Sequence, residues 1–502
     1  MYMINSFFNI SNAPVQFLPI GARPTQPKIL MDYIAQLVDN DGKPTGPQIS
    51  LPSTTTTKDL TFLVNQFLEN EDPTPFSFYV DDEQIVGGLT SIPQSTSSEK
   101  VLKIVYRPES VFGVRAVSFC SATLPGHSHT ILCIAFSNNG LDLATGGGDG
   151  SVIFWDVSTQ SMKQKLEVKQ GNWIQCLEWH QMCQILAIAG TDGYVRIIQK
   201  ETEKFSLRNE FKASNSPIFA LQWEPFHLQN SKYPRIATAS KNGEVSIWCS
   251  QTGTKLVRTS GHNGIVMGLG WGINGVLYSS SHDKTLKAWN TENGHELASY
   301  SPRCGAWRTL ALSTAFIART GPYELGKIND SDPKVAAEKR IAAHKKQSPN
   351  ELVAVGGEDF TVSLLRYENH KFIEITRLTG HTKAVNHIAF SPNGYWLATG
   401  SFDKNVKLFD GKTGKFICTL GKGRGRHTGT HLGPVYRVAW SADSRKLLTG
   451  SSDTTLKVWD ITNQKLLRDL PGHEDEVYAI DWSPIGSPAA SGGKDQKVRL
   501  WK

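Results

Sequence analysis

The pattern of apolar and polar positions changes character at about residue 107. Before that point short alternating runs are interrupted once by a helical period. Residues 29–38 predict a first strand, the Gly- and Asp-rich stretch 39–46 a hairpin turn, and 48–51 a returning strand. Thr56 with Asp59 three residues on has the form of a capping box. Leu60, Leu63, Val64, Phe67 and Leu68 then fall on one stripe of a helix. Pro73 and Pro75 end it. Residues 76–80, 84–86 and 100–106 read as three further strands. The predicted order is strand, strand, helix, and then three strands.

After residue 107 the pattern repeats. An Asp or Asn anchor recurs at Asp149, Asp192, Asn242, Asp283, Asp359, Asp403, Asp453 and Asp495, at spacings of 43, 50, 41, 76, 44, 50 and 42 residues. Six residues after each anchor stands an apolar residue: Trp155, Ile198, Trp248, Trp289, Leu365, Phe409, Trp459 or Trp501. His127, His262, His381, His431 and His473 precede their anchors by 21 or 22 residues. Four residues after each His an apolar residue opens a β-rich run: Ile131, Val266, Val385, Val435 and Val477.

A unit of this length, opening on Gly-His and closing on Trp-Asp, resembles the WD40 repeat, a four-stranded blade of a β-propeller. The resemblance covers residues 114–502. It implies that the five His and their Asp partners are structural, tied by a Ser or Thr and by the Trp indole N–H, rather than catalytic bases and acids. That role is expected of His127, Asp149, Trp155, His262, Asp283, Trp289, His381, Asp403, His431, Asp453, Trp459, His473, Asp495 and Trp501. Units two, three and five are eroded: Gln170, Ser214 and Cys304 stand where a His is expected, and packing alone is expected to hold these units. Eight anchors predict eight blades; discarding an eroded unit would leave seven. The chain stops three strands into its last unit, so residues 114–120 are expected to supply the fourth and hide a sheet edge.

Two insertions interrupt the repeat. One, at about 316–349 in the fifth unit, is alanine-rich and predicts a helix over 334–346. Its cations suit either a phosphate-rich surface or a mobile solvated loop. The other, 421–431, is rich in Gly and Arg but lacks the spacing of a nucleotide-binding loop.

The strand and helix order of residues 28–107 is that of a ubiquitin-like β-grasp. Gly87-Gly88 is internal, so the unit is read as a fused docking module rather than a conjugated modifier. The fold class is therefore mainly β: an eight-bladed WD40 β-propeller at 108–502, preceded by a small α+β ubiquitin-like domain at 28–107. Residues 1–27 are expected to be an untargeted, poorly ordered extension.

Charge sharpens the division. Residues 1–107 hold 7 basic and 11 acidic residues, a net of −4, and the remainder carries +11. A basic body is compatible with a polyanionic partner and equally with an ordinary solvated surface. Seven Cys occur with no CxxC pair, which argues against a zinc site and for reduced thiols in the cytosol or nucleus. No run approaches 18 apolar residues, so no membrane span is predicted.

Taken together the two parts resemble the Notchless-type ribosome-assembly factors. The resemblance rests on segments 71–76, 106–117, 223–225, 311–314 and 469–478 and runs from about residue 28 to 502. It implies a protein that is not an enzyme, has no intrinsic cofactor, and acts as a monomer on large-subunit (pre-60S) precursor particles in the nucleus and nucleolus. It further implies that the ubiquitin-like head docks on the metal-ion-dependent adhesion site of midasin, an AAA-type ATPase. An acidic residue just before the last β-grasp strand completes the coordination of that site's Mg²⁺, and the matching residue is Glu99. Asp81, Asp82 and Glu83 form a second acidic cluster that could steer docking. Trp173, Trp307, Tyr436 and Tyr478 lie at the starts of inner strands, where a propeller either displays contact residues or packs its core. The competing class is a general WD40 scaffold or ubiquitin-ligase receptor. It predicts a helical docking motif upstream of the ring, where the β-grasp stands instead.

Overall fold

The computed structural model describes residues 32–39, 42–68, 75–81, 83–85, 87–89, 101–108, 112–168, 171–202, 204–229, 233–259, 261–302, 305–423, 426–427 and 429–502. The chain forms two compact units, Met1–Val111 and Phe112–Lys502.

The first unit holds β1 (Asp32–Val38), β2 (Ile49–Pro52), α1 (Thr57–Phe67), β3 (Phe76–Val80), β4 (Glu83–Gln84) and β5 (Leu102–Pro108). The sheet order is β2-β1-β5-β3-β4, with β1 parallel to β5 and the other pairs antiparallel. A parallel central pair needs a crossover. The chain between β1 and β5 supplies it, and α1 lies within that stretch. The helix starts where the sequence said. Thr56 Oγ1 accepts from the Asp59 amide, and Asp59 Oδ2 accepts from the Thr56 amide at 2.9 Å. Leu60 and Val64 are buried against Ala35, Leu37, Phe78, Leu102 and Ile104. Leu68, placed on the same stripe, is instead the C-cap and is exposed.

The second unit contains eight four-stranded antiparallel sheets, which settles the blade count at eight. We label the strands of each blade a to d from the ring centre outward. The a strands of successive blades pack on one another all the way round, blade eight against blade one. Blades one to seven are continuous in sequence. Blade eight takes strands a to c from Val477–Trp482, Ala489–Gly493 and Lys497–Trp501, and strand d from Cys120–Pro125.

The closing strand thus begins where the predicted segment 114–120 ends. Burial explains the shift. Val114 and Val117 are buried against Ala442, Val458, Leu470 and Trp482 of blades seven and eight. The Val114 amide donates to Asp443 Oδ2 at 2.7 Å, and Lys446 Nζ donates to the Val114 carbonyl. Apolar side chains committed to the core on irregular backbone cannot also form an edge strand. Pairing starts only once this stretch has been anchored.

The fifth-unit insertion is packed on the ring, not a solvated loop. It comprises α2 (Ala315–Thr320), a small hairpin (Tyr323–Glu324 and Lys327–Ile328) and α3 (Pro333–Gln347). Asp332 caps α3, and Ala336, Ala337 and Ile341 are buried. Ile341 packs with Ile317, Ala318 and Ile273. In the second insertion Lys422–Gly423 pairs with Arg426–His427.

α2 crosses the end of the ring formed by the a–b turns. From blade five it reaches Asn138 of blade one, whose Nδ2 donates to the Arg319 carbonyl at 2.8 Å. Gln181 of blade two donates to the Ala318 carbonyl at 3.3 Å. The Arg319 guanidinium donates to both oxygens of Asp481 in blade eight, at 3.0 and 2.6 Å, and to the Phe136 carbonyl at 3.3 Å. At the root of the insertion, Glu351 accepts from Thr314, from Tyr278 and from the Ile273 amide. The turn after α2 needs glycine. Gly321 has φ +55°, and a Cβ there would lie 2.9 Å from Gln181.

Candidate functional site

Two groups of residues bear on function: the polar network inside the blades, and the face carrying the b–c turns, opposite α2.

The network repeats in the five blades that keep the His. In blade one His127 Nδ1 lies 3.1 Å from Asp149 Oδ2, His127 Nε2 lies 2.9 Å from Thr145 Oγ1, and Trp155 Nε1 donates to the same hydroxyl at 2.9 Å. Blades four, seven and eight repeat it with His262–Asp283–Ser279–Trp289, His431–Asp453–Thr449–Trp459 and His473–Asp495–Ser491–Trp501. Blade six has His381, Asp403 and Thr399, with Phe409 in place of the Trp. The anchor carboxylate also accepts the amide that follows each His, as Asp453 does from Leu432 at 2.8 Å.

Asp, His and a hydroxyl in hydrogen-bonded sequence are also the parts of a nucleophilic triad. Here the His side chains are 0–3% exposed, and in four of the blades the hydroxyl already accepts from Trp. No substrate carbonyl can reach such a hydroxyl. What the arrangement can do is fasten the d–a connection to the b–c turn.

Thr449 tests this. Thr449→Val keeps the shape but strands His431 Nε2 and Trp459 Nε1, at about 1–3 kcal/mol for each buried group left unpaired. Urea unfolding should show the loss, with an unchanged denaturant slope. The anchor carboxylates give a pH signature. Burial alone would raise Asp453, but hydrogen bonds and charge from His431, with Thr455 and the Leu432 amide, hold it well below the usual carboxylate range. Asp149, Asp403 and Asp495 behave likewise. A depressed folded pKa adds stability that is complete above the unfolded value of about 3.9 and is lost as pH falls through the folded value. The thermal midpoint should therefore drop steeply below about pH 4. Asp453→Asn should start lower and drop less.

Of the eroded blades, two and three are not held by packing alone, while Gln170 and Cys304 lie outside the described residues. In blade two Arg196, 3% exposed, pairs with Asp192 at 2.6 Å. In blade three Trp248 Nε1 still donates to Thr238 Oγ1 at 3.0 Å, although Ser214 replaces the His. Arg196 could have been found by asking what cation follows the anchor by four residues. In blade eight Arg499 does the same beside His473.

On the b–c face the four candidate aromatics separate. Trp307 is fully buried and cannot meet a partner. It packs with Leu286, Ala288 and Leu365, filling space in the blade where Leu365 has replaced the usual Trp. Trp173 is 46% exposed, tilted against His129 at 5.9 Å between ring centroids. Tyr436 and Tyr478 are half-buried, 5.0 Å apart, and both hydroxyls donate to Glu476 Oε2. Phe402 meets Tyr436 edge-on, and Arg308 lies over Phe402 at 5.6 Å. An aromatic arc therefore spans blades six to eight. Arg308 at its end is paired with Glu358. Sequence reasoning missed Phe402 and Arg308, because adjacency across blades is invisible within one repeat.

In the head, Asp81 is exposed at a positive-φ turn after β3. Asp82 and Glu99 lie outside the described residues. Among the described residues no cluster of His, Cys, Asp and Glu could hold a metal ion.

Comparisons with known proteins bear on both units. The NLE (NUC135) domain model matches residues 33–92. The WD domain, G-beta repeat model matches 118–156, 253–290, 372–410, 424–460 and 464–502, the five blades with a His, and the anaphase-promoting complex subunit 4 WD40 domain model matches 167–225. The Notchless protein homolog of Arabidopsis thaliana is 40% identical over 403 residues, 79% of this chain and 82% of that one. The chain belongs to the Notchless family. Protein Notchless of Drosophila melanogaster is 36% identical over 72% of this chain and 74% of its own length. Ribosome assembly protein 4 of Saccharomyces cerevisiae is 35% identical over 76% and 78%. The fold of this Notchless-family chain is also that of the computationally designed Ika8 protein, at TM-score 0.57 and 24% identity over 78% of this chain and 99% of the design.

Proposed function

We propose that this Notchless-family chain is a non-catalytic ribosome-assembly factor. It sits on large-subunit precursor particles through its ring and offers its head to a remodelling ATPase. The observation that carries this reading is the match to relatives named as Notchless and as ribosome assembly protein 4 across most of both chains. The geometry agrees with an adaptor. The five triad-like networks are sealed, and half-buried aromatic and charged groups gather on one face of the ring.

In this reading the particle is nuclear and nucleolar, and the chain joins it as a monomer. The finer step is docking of the head on the adhesion site of midasin, with Glu99 supplying one oxygen to a Mg²⁺ held by midasin. Mg²⁺ takes hard oxygen ligands at about 2.0–2.1 Å in an octahedron, and an adhesion site leaves one position for a partner carboxylate. ATP-driven remodelling then draws on the head and releases assembly factors.

The test is sedimentation of nuclear extract expressing the tagged chain. Co-migration with large-subunit precursor particles and a nucleolar signal are the expected results. A chain that stays at the top of the gradient while precursors are abundant would refute the assignment and favour the general scaffold.

A further inference from the structure

The a strand of every blade carries a register shift at its third residue. The residues placed there are Cys133, Cys176, Ala220, Gly268, Thr309, His387, Arg437 and Ala479. They form one tier around the ring axis. Seven are small or neutral, and Arg437 is the only permanent charge.

His387 does not compete for that charge or add to it. Its Nδ1 accepts from the Val438 amide, and burial together with Arg437 pushes its pKa down to about 3, so the ring is neutral. Cys133 is a neutral thiol, pushed up to about 12 by burial.

Arg437 is placed centrally. Its field reaches His387 in blade six and Cys133 in blade one, on opposite sides of its own blade seven. The side chain is exposed to solvent. Among the described residues its guanidinium has no hydrogen bond, ion pair or ring contact.

The contrast lies two residues further along the same strands. There the tier holds two carboxylates, Glu178 and Asp481, in equivalent register. Both are spoken for. Asp481 is taken by Arg319 from α2 and by the Phe136 amide, and Glu178 by Gln222 and the Trp223 amide. The axis therefore has a saturated tier beside α2 and an unsaturated cationic tier toward the b–c face.

We propose that Arg437 is the anchor of an anion-binding site in the axial channel, filled by the carboxylate of an Asp or Glu side chain on a protein segment lying across the b–c face. An Arg fork pairs with a carboxylate through two parallel N–H···O bonds. Tyr436 and Tyr478, the neighbours of this tier on blades seven and eight, give such a segment a flat surface beside the opening. The other residues of the tier are neutral, so no neighbouring charge competes for the bound carboxylate.

The test uses the full chain with alanine methyl groups isotopically labelled, so that Ala220 and Ala479 report from the tier itself. The probes are N-acetyl-Gly-Gly-Glu-Gly-Gly-amide, its Gln counterpart and inorganic phosphate, at matched ionic strength. Saturable shifts at Ala479 with the Glu peptide are expected, about tenfold weaker with the Gln peptide. Arg437→Met should abolish them and leave the thermal midpoint unchanged, since the guanidinium is solvent-exposed and makes no hydrogen bond or ion pair among the described residues. Arg437→Lys should bind weakly. Equal shifts with the Glu and Gln peptides, persistence in Arg437→Met, or tighter binding of phosphate than of the Glu peptide would each overturn the carboxylate site. A lowered midpoint in Arg437→Met would show that Arg437 supports the fold instead.

Discussion

Replacing Glu99 by alanine is expected to cut binding of the full chain to the midasin adhesion domain by roughly 2–5 kcal/mol, the usual cost of truncating one member of a desolvated charge pair. β5 opens three residues later at Leu102, and it is the middle strand of the five-stranded sheet, hydrogen-bonded on both sides. Glu99→Gln keeps the shape but supplies no charge to the metal, and Glu99→Asp keeps the charge but falls short by one methylene. Both should approach the alanine value, and chelation should give the same loss in the parent protein. Surface plasmon resonance with the adhesion domain immobilised would measure it. Binding that survives both Glu99→Ala and chelation would remove the metal-bridged step and leave the ribosome-assembly reading standing.

The second large effect is expected at Arg319. Its guanidinium spans Asp481 and the Phe136 carbonyl, and Asp481 is buried. Arg319→Met leaves that carboxylate enclosed without its cation. Breaking a buried pair from one side costs about 3–5 kcal/mol. The charge on Arg319 also helps to hold down the pKa of Glu178, which burial pushes up to about 8, so its loss keeps Glu178 in the neutral acid form to higher pH. Urea unfolding followed by tryptophan fluorescence should report the loss. The double variant Arg319→Met/Asp481→Asn should recover part of it, because the stranded charge is then gone. Limited proteolysis gives an independent reading: cleavage within 321–347 should accelerate in Arg319→Met. If stability is unchanged, α2 is an ornament on the ring and not a fastening across it.

What could be read from the chain follows from the range of the interactions. Thr56 and Asp59 announced the start of α1 because a capping box is complete within four residues. The Trp and Asp positions announced the blades because each network closes within one repeat. Leu68 was misplaced because a helical stripe does not show where the helix stops. The closing strand was misplaced because the partners of Val114 and Val117 lie more than 300 residues away. Trp307 shared two readings, displayed or packed, with Trp173, Tyr436 and Tyr478, and the loss of the blade's usual Trp at Leu365 explains why it is the buried one. The function of α2 was invisible for the same reason. Asn138, Gln181, Arg319 and Asp481 come from four segments, and nothing local marks them as neighbours.

The route by which the chain enters the ring has a mechanical consequence. The strand Cys120–Pro125 is the seam of the ring, and it is also the first strand reached from the head. Tension applied to the head travels along the backbone toward that seam. It meets Val114 first, held by Asp443 and Lys446 of blade seven and by burial of its side chain. That fastening works as a strain relief: it takes the load before the hydrogen bonds to Lys497–Trp501 do. Pulling on the head is therefore expected to load the Val114 anchorage before the seam of the ring.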